Sequence, residues 1–346
     1  MSYQSVHSGS LVNFATKIVE LVKGNKTFVL CDNNTKICLE KIDENLIFSN
    51  SEKLIIQPGE KNKNITQVVE IWEFLNAHNA TKNDFLINIG GGVICDLGGF
   101  AASTYKRGIS FINIPTSLLG MVDAAIGGKT GFNLNHLKNN IGTFSPAKMV
   151  ICDADFLATL PSDELKSGFA EVIKHALISD LNFWNQIKNQ SFNNYDFQDL
   201  ISKSIDHKLT IVESDPIEKG PRKKLNFGHT VGHALESYFL SKNTKLLHGY
   251  AIAQGMIIES YISYRNNLLN LENYYEIKRF INSIYSQIKL SEYELNSLIN
   301  LMTNDKKNEL PKISFTLLNA IGDAVFDQYL SKNETKKLML DFIENG

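Results

Sequence analysis

Short apolar runs alternate with helical periodicity through the first half of the chain. "FVLCD" (28–32), "LIIQP" (54–58), "FLINIG" (85–90), "FINIP" (111–115) and "KMVICD" (148–153) are each too short for a helix and rich in Val, Ile and Phe. They predict buried strands. Residues 65–78, "ITQVVEIWEFLNAH", repeat apolar positions at helical spacing. Strands alternating with helices predict a mostly parallel α/β sheet.

After about residue 155 the pattern changes. "LPSDELKSGFAEVIKHALI" places Pro161 near a helix start, and helical patterns follow at roughly 195–213, 226–240 and 248–266. "ISFTLL" (313–318) is the one strand-like run there, and "ETKKLMLDFI" closes the chain as a helix. The expected fold is therefore α/β, with a Rossmann-like nucleotide-binding domain over 1–157 and a mainly α-helical, metal-binding domain over 158–346.

Composition narrows the function. The 346 residues carry a formal net charge of −2 with no basic block, which argues against a general nucleic-acid surface. A few local cations can still hold a small anionic substrate. Cys31, Cys38, Cys95 and Cys152 show no C-x-x-C spacing and read as reduced thiols of a cytoplasmic protein. "MSYQSVHSGS" lacks the basic and apolar regions of a signal peptide, and no apolar run reaches the roughly 20 residues of a membrane helix.

Three stretches carry candidate chemistry. "FLINIGGGVICDLGGF" runs from a strand through Gly90, Gly91 and Gly92 into an apolar helix. Free N–H groups at such a helix start suit a pyrophosphate, or the turn is simply tight and binds nothing. Cys95 stands where the Rossmann fingerprint has its third glycine. "GGKTG" (127–131) is not a P-loop, since the first glycine of that motif would fall at Asp123. Lys129 either holds a phosphate or is a surface lysine. Finally, His229 and His233 lie at i and i+4, facing one way from a helix. That spacing serves two metal ligands, or one ligand and one proton-transfer group. His248 and Glu171 offer further ligands, and three drawn from Glu and His with an open position is the pattern of catalytic zinc. Alternatively, Glu171 sits on a solvated face and pairs with Lys174.

Taken in order, "GGGVICDLGGFAAS", "PTSLLGMVDAAIGGKTGFN", "LKNNIGTF", "AEVIKHALI", "PRKKLNFGHTVGHALES" and "HGYAIAQGM" resemble the 3-dehydroquinate synthase family of sugar phosphate cyclases, over about 32–322. The resemblance implies a lyase of the shikimate pathway that uses NAD and Zn2+, with Co2+ able to substitute. It acts on 3-deoxy-arabino-heptulosonate 7-phosphate, a small sugar phosphate, and works as a homodimer. It implies Glu171, His229 and His248 as zinc ligands and His233 as a catalytic group, so the histidine pair divides its work. Lys129, Lys138, Asn139 and Lys174 would take the phosphate, with Arg107 reaching in from a second subunit. Lys208, Arg222, Asn226 and Lys306 or Lys307 would take the carboxylate. Asp123 and Glu218 would contact substrate or order the site.

For NAD, Gly91 and Gly92 would face the pyrophosphate and Asp96 the nicotinamide. Asp32, Asn34, Glu60 and Lys63 would serve the adenosine end, and Thr116, Ser117, Asp123 and Lys138 complete the expected cofactor set. An acid just after a strand favours free ribose hydroxyls, hence NAD over NADP. The chain departs from the family in having Ser117 after "PT", Ala124 and Ala125, and Tyr250 after "HG" where glutamate is common; the last leaves the support of His248 unassigned. The competing readings are sister cyclases that make inosose or valiolone rings from substrates without a carboxylate, an NAD- and metal-dependent alcohol dehydrogenase, and a regulator built on a dead cyclase.

Overall fold

The computed structural model describes residues 4–43, 47–134, 137–303 and 312–346. They divide into two compact units. The first holds Met1–Leu165 and Asp196–Leu209; the second holds Lys166–Tyr195 and Thr210–Gly346. The chain thus leaves the first unit at Leu165 and revisits it, where the sequence suggested one crossing after residue 157.

In the first unit a parallel sheet is built from β1 (Ser5–Ser8), β2 (Thr27–Asp32), β3 (Glu52–Ile56), β4 (Phe85–Gly90) and β5 (Ser110–Pro115). Helices α1 (Ala15–Val22), α2 (Lys36–Asp43), α3 (Ile65–Ala77) and α4 (Gly92–Thr104) lie between them in sequence. An antiparallel ribbon, β6 (Lys129–Leu134) with β7 (Leu137–Phe144), precedes the last sheet strand, β8 (Met149–Cys152). The strand order is β1-β8-β5-β4-β2-β3. The chain leaves β2 toward one edge and β4 toward the other. The carboxyl ends of β2 and β4 therefore flank the switch point where open α/β sheets bind ligands.

Every residue of β4 is buried, as are nearly all of β2 and β5, which is why these runs read as continuous apolar segments. α4 lies close on the sheet. A Cβ at Gly98 would stand 1.9 Å from Asn88 Oδ1, and Asn88 itself donates to Asn113 Oδ1 on β5 at 2.8 Å. Gly98 thus provides the close helix–strand approach that the fingerprint assigns to its third glycine. At the edge, Gln198 accepts from Ala154 N at 3.0 Å and donates to Ser8 Oγ at 2.6 Å, fastening the returning segment to the first unit.

The second unit is mainly helical: α5 (Ser162–Ser179), α6 (Leu181–Lys188), the end of α7 (Phe197–Ser214), α8 (His229–Ser241), α9 (His248–Arg265), α10 (Leu271–Ile284), α11 (Glu292–Thr303) and α12 (Lys332–Asn345). The strand expected at 313–318 is β9 (Lys312–Ala320), and it has a partner the sequence hid, β10 (Asp323–Ser331). Register shifts between Val325 and Gln328 break the alternation of β10, so no period-2 signal survives.

β9 is tied to several helices at once. Thr230 on α8 donates to Ser314 O at 3.0 Å, Thr316 donates to Lys223 O at 2.9 Å, and Leu318 N donates to Ser263 Oγ on α9 at 3.0 Å. On β10, Asp327 and Asp323 pair with Lys223 and Lys224. Among the described residues, no helix is long and apolar enough to cross a membrane.

Candidate metal and nucleotide centres

Three elements of the second unit bring together Glu171, His229 and His248. Glu171 lies in the buried middle of α5, and the histidines are the first residues of α8 and α9. Ligand atoms of the three fall within 4.8 Å of one another. His248 Nε2 is 3.5 Å and His229 Nε2 3.7 Å from Glu171 Oε1. The nitrogens turned away are supported: His229 Nδ1 lies 3.1 Å from Phe227 O and His248 Nδ1 3.2 Å from Glu236 Oε2. A ring that donates through Nδ1 keeps the Nε2 lone pair for a metal, the usual support of a ligating histidine.

Electrostatics favour a cation at this point. Burial alone would raise the Glu171 carboxyl, but Lys174, which pairs with it, and the two imidazoles hold it well below the usual range. Burial, then the charge of Lys174, holds His229 well below its ordinary value, so that ring is neutral and fit to ligate. Burial would lower His248 too, yet its bonds to Glu171 and Glu236 push it up to about 10. Positive charge is wanted between the two carboxylates, and one carboxylate with two imidazoles is a donor set suited to zinc.

His233 is exposed one turn along α8, its ring centroid 5.1 Å from that of His229 and 6.1 Å from that of His248. His233, Glu236 and His248 also offer ligand atoms within 4.8 Å of one another, so Glu236 is close to both histidines. Sequence reasoning passed over Glu236. Its signal was position: i+3 from His233 and i+7 from His229, on the same helix face.

Arg222 does not belong to a solvated basic run. It is 2% exposed, and its Nη1 donates to Pro216 O at 2.7 Å. Its neighbours Lys223 and Lys224 are the cations held by β10. The turn before Arg222 is folded around Asp215, whose carboxylate accepts from the amides of Lys219 (3.0 Å), Gly220 (2.6 Å) and Arg222 (3.2 Å). Burial would raise that carboxyl; the three amide bonds hold it below its ordinary value. Asp215 is a second residue the sequence reading missed, because its partners are backbone groups. Asn226 donates to Glu218 Oε1 at 2.9 Å, which joins two more expected residues. Lys306 and Lys307 lie outside the described residues.

In the first unit, Lys208 is bound to Asp123: its Nζ donates to the Asp123 carbonyl at 2.5 Å and to the carboxylate. Lys63, expected with Glu60 at the adenosine end, meets Asp96 and Asn139. Its side chain is 4% exposed, and its Nζ lies 2.5 Å from Asp96 Oδ2 and from Asn139 Oδ1. Burial raises the Asp96 carboxyl and outweighs Lys63, which pulls it down. Asn139 also donates its N–H to Asn133 Oδ1, and Asn133 donates to Glu60 Oε1. Glu60, Lys63, Asp96 and Asn139 therefore form one connected chain.

Gly91 caps α4 without any side-chain acceptor for the first amides, and Gly92 opens the helix. Thr116 N donates to Gly90 O, and Ser117 Oγ accepts from Gly120 N, holding the next loop beside this turn. Asp32 ends β2, and its Oδ1 accepts from the amides of Asn34 and Thr35 at 2.9 Å each. The uncapped helix start and the end of β2 sit at the sheet's switch point, an arrangement that fits a dinucleotide. Lys129, Lys138 and the positive-φ Arg107 are exposed.

Two family models match successive stretches: 3-dehydroquinate synthase N-terminal over residues 53–167 and 3-dehydroquinate synthase C-terminal over residues 168–308. The 3-dehydroquinate synthase of Parabacteroides distasonis is 42% identical over 325 residues, covering 93% of this chain and 92% of that one. That of Campylobacter concisus is 38% identical over 302 residues, covering 87% and 85%. Among solved structures, 2-epi-5-epi-valiolone synthase of Streptomyces hygroscopicus, with NAD+ and Zn2+ bound, superposes with a TM-score of 0.85 at 24% identity, covering 100% and 98%. A 2-deoxy-scyllo-inosose synthase complexed with carbaglucose-6-phosphate, NAD+ and Co2+ gives 0.82 at 23%, covering 97% and 95%. At those identities the structures speak for the fold, while the sequence relatives speak for the family. The chain belongs to the 3-dehydroquinate synthase family.

Proposed function

We propose that the protein converts 3-deoxy-D-arabino-heptulosonate 7-phosphate to 3-dehydroquinate and phosphate. The observation that carries this is the buried Glu171, His229 and His248 set, with each histidine supported at Nδ1, in a chain of this family. The first unit holds NAD; the second holds zinc and the substrate's carboxylate. When bound, zinc acidifies the substrate's secondary alcohol, and NAD takes up its hydride and returns it.

The side chains supply the rest. His233 moves the proton at the alcohol oxygen, since a base must stand beside a metal position rather than on it. Lys174, Lys129, Lys138 and Asn139 hold the phosphate and favour its departure as a dianion. Arg222 pairs with the carboxylate, where its planar fork fits two oxygens, and Asn226, Lys208 and a lysine of "NDKKN" assist it. Glu218 orients Asn226 through their 2.9 Å bond, and Asp123 does the same for Lys208. Gly91 and Gly92 face the pyrophosphate. Asp96, paired with Lys63, faces the nicotinamide, and Asp32, Asn34, Glu60 and Lys63 serve the adenosine end. Thr116 and Ser117 hold the loop beside the cofactor.

The protein acts in the cytoplasm, a compartment that suits its four free, buried cysteines. It acts as a homodimer in which the exposed Arg107 reaches the partner's phosphate pocket.

The test is incubation with the heptulosonate phosphate and trace NAD. Phosphate release without net NADH is expected. A sugar phosphate lacking the carboxylate should turn over poorly; efficient turnover of that compound instead, or stoichiometric NADH, would overturn the assignment.

A further inference from the structure

α8 begins without a cap of its own. Its N-cap is Gly228, in the left-handed region at φ +78°, and no side chain of that residue can accept from the first amides. The acceptor comes from another helix. Glu259, on α9, is 0% exposed, and its two oxygens are both engaged: Oε2 accepts from Gly228 N at 2.6 Å and Oε1 from Val231 N at 3.0 Å. Burial pushes the Glu259 carboxyl up to about 8, against the backbone amides of Val231, Gly228 and Thr230, which pull it down; the dipole of α8 pulls the same way as those amides.

The two helices touch through glycine. A Cβ at Gly255 would stand 2.0 Å from Gly228 O, one at Gly228 2.6 Å from Met256 Cγ, and one at Gly232 2.6 Å from Ile252 Cδ1. Residue numbers rise along α8 as they fall along α9, so the pair is antiparallel. Glycine surfaces permit close approach but are smooth and resist sliding poorly. Directional bonds fix the register, and they stand at both ends of the contact: Glu259 to Gly228 and Val231, and Glu236 to His248.

We propose that Glu259 is a positioning residue for the metal centre, setting the register of α8 on α9 and with it the spacing of His229 and His248. The inference rests on the zinc reading above. A slip of one residue moves a helix by about 1.5 Å, whereas metal–ligand distances tolerate about 0.2 Å. Glutamine at this position keeps the size but turns an NH2 toward an amide donor, so one of the two bonds is lost.

The experiment compares wild type, Glu259→Gln and Glu259→Asp. Zinc affinity is read by chelator competition well below the melting temperature, and the visible absorption of the Co2+-loaded protein reports ligand geometry. Ile281→Ala, a fully buried truncation on α10 in the same unit, is the control for lost stability. Glu259→Gln should weaken zinc about tenfold or more and change the Co2+ bands, and Glu259→Asp should do so to a lesser degree. Ile281→Ala should leave both readouts at wild type even if it melts as low. Should the glutamine variant not fold, the aspartate variant carries the test alone. Wild-type zinc affinity and Co2+ bands in the folded Glu259 variants would overturn the proposal, as would equal weakening by Ile281→Ala. A wild-type protein that takes up no zinc overturns the metal reading and this inference together.

Discussion

Glu236 reaches from α8 to the first residue of α9, placing its Oε2 3.2 Å from His248 Nδ1. Tyr250, which follows "HG", packs its ring against Tyr285 at 5.3 Å, and Glu236 is the carboxylate at His248 Nδ1. Glu236→Gln should weaken zinc binding by roughly 10–100-fold, as changes to the partners of ligating histidines do. Chelator competition measures it, and unaltered affinity counts against a supporting role for this carboxylate.

The neighbouring histidines should separate cleanly. Chelation should abolish activity, and zinc or cobalt should restore it. His229→Ala should lose metal by elemental analysis. His233→Ala should keep metal and lose about 10²-fold or more in kcat, the scale of a general acid–base group. Equal metal loss in both variants would show that His233 is a ligand as well.

Arg222→Ala should raise the barrier from free enzyme and substrate by about 2–4 kcal/mol, the cost of removing a charged partner from a buried anion pair. NAD affinity and zinc content should stay near wild type. The check is a double cycle of kcat/KM over two enzymes and two substrates, one without the carboxylate. Additive losses mean that Arg222 does not read that group.

Asp215 links pH to the same loop. Its carboxyl is depressed in the folded state, against the pull of burial, by three amide bonds. A depressed acid stabilises the fold above its unfolded value, and that stabilisation is lost as pH falls through the folded value. The melting-temperature gap between wild type and Asp215→Asn should therefore be full at neutral pH and close in the acid range, below the ordinary aspartate value. A gap that is constant with pH would mean that the charge is irrelevant to the turn.

The apolar strands of the sheet were legible because burial on both faces leaves an uninterrupted run, as in Phe85–Gly90. Long helices such as α9 were legible through length and periodicity. β1, the short polar edge strand Ser5–Ser8, carries no such signal. The β6–β7 ribbon read only as a cluster of motifs, and β10 was hidden by its bulges. In the site, spacing alone gave His229 and His233 as a pair; the family motifs supplied the division of roles. Glu236 was legible only as a position on the face of His229 and His233, since its partner is a ring nitrogen 12 residues away, and Asp215 and Glu259 were not legible, because their partners are backbone amides brought near only by folding. The pairing of Lys63 with Asp96 was not legible for the same reason: the two are 33 residues apart.

β9 gives the second unit a shared fate. One strand holds α8 through Ser314, the Arg222 turn through Thr316 and α9 through Leu318, while its partner strand grips Lys223 and Lys224. Opening this hairpin would release all three segments at once. Segments bonded to one element open together as a cooperative unit, so amide hydrogen exchange should give Val231, Lys223 and the middle of α9 a common opening free energy. Thr316→Val, which deletes only the bond to Lys223 O, should lower protection of the Arg222 turn first and uncouple it from the two helices.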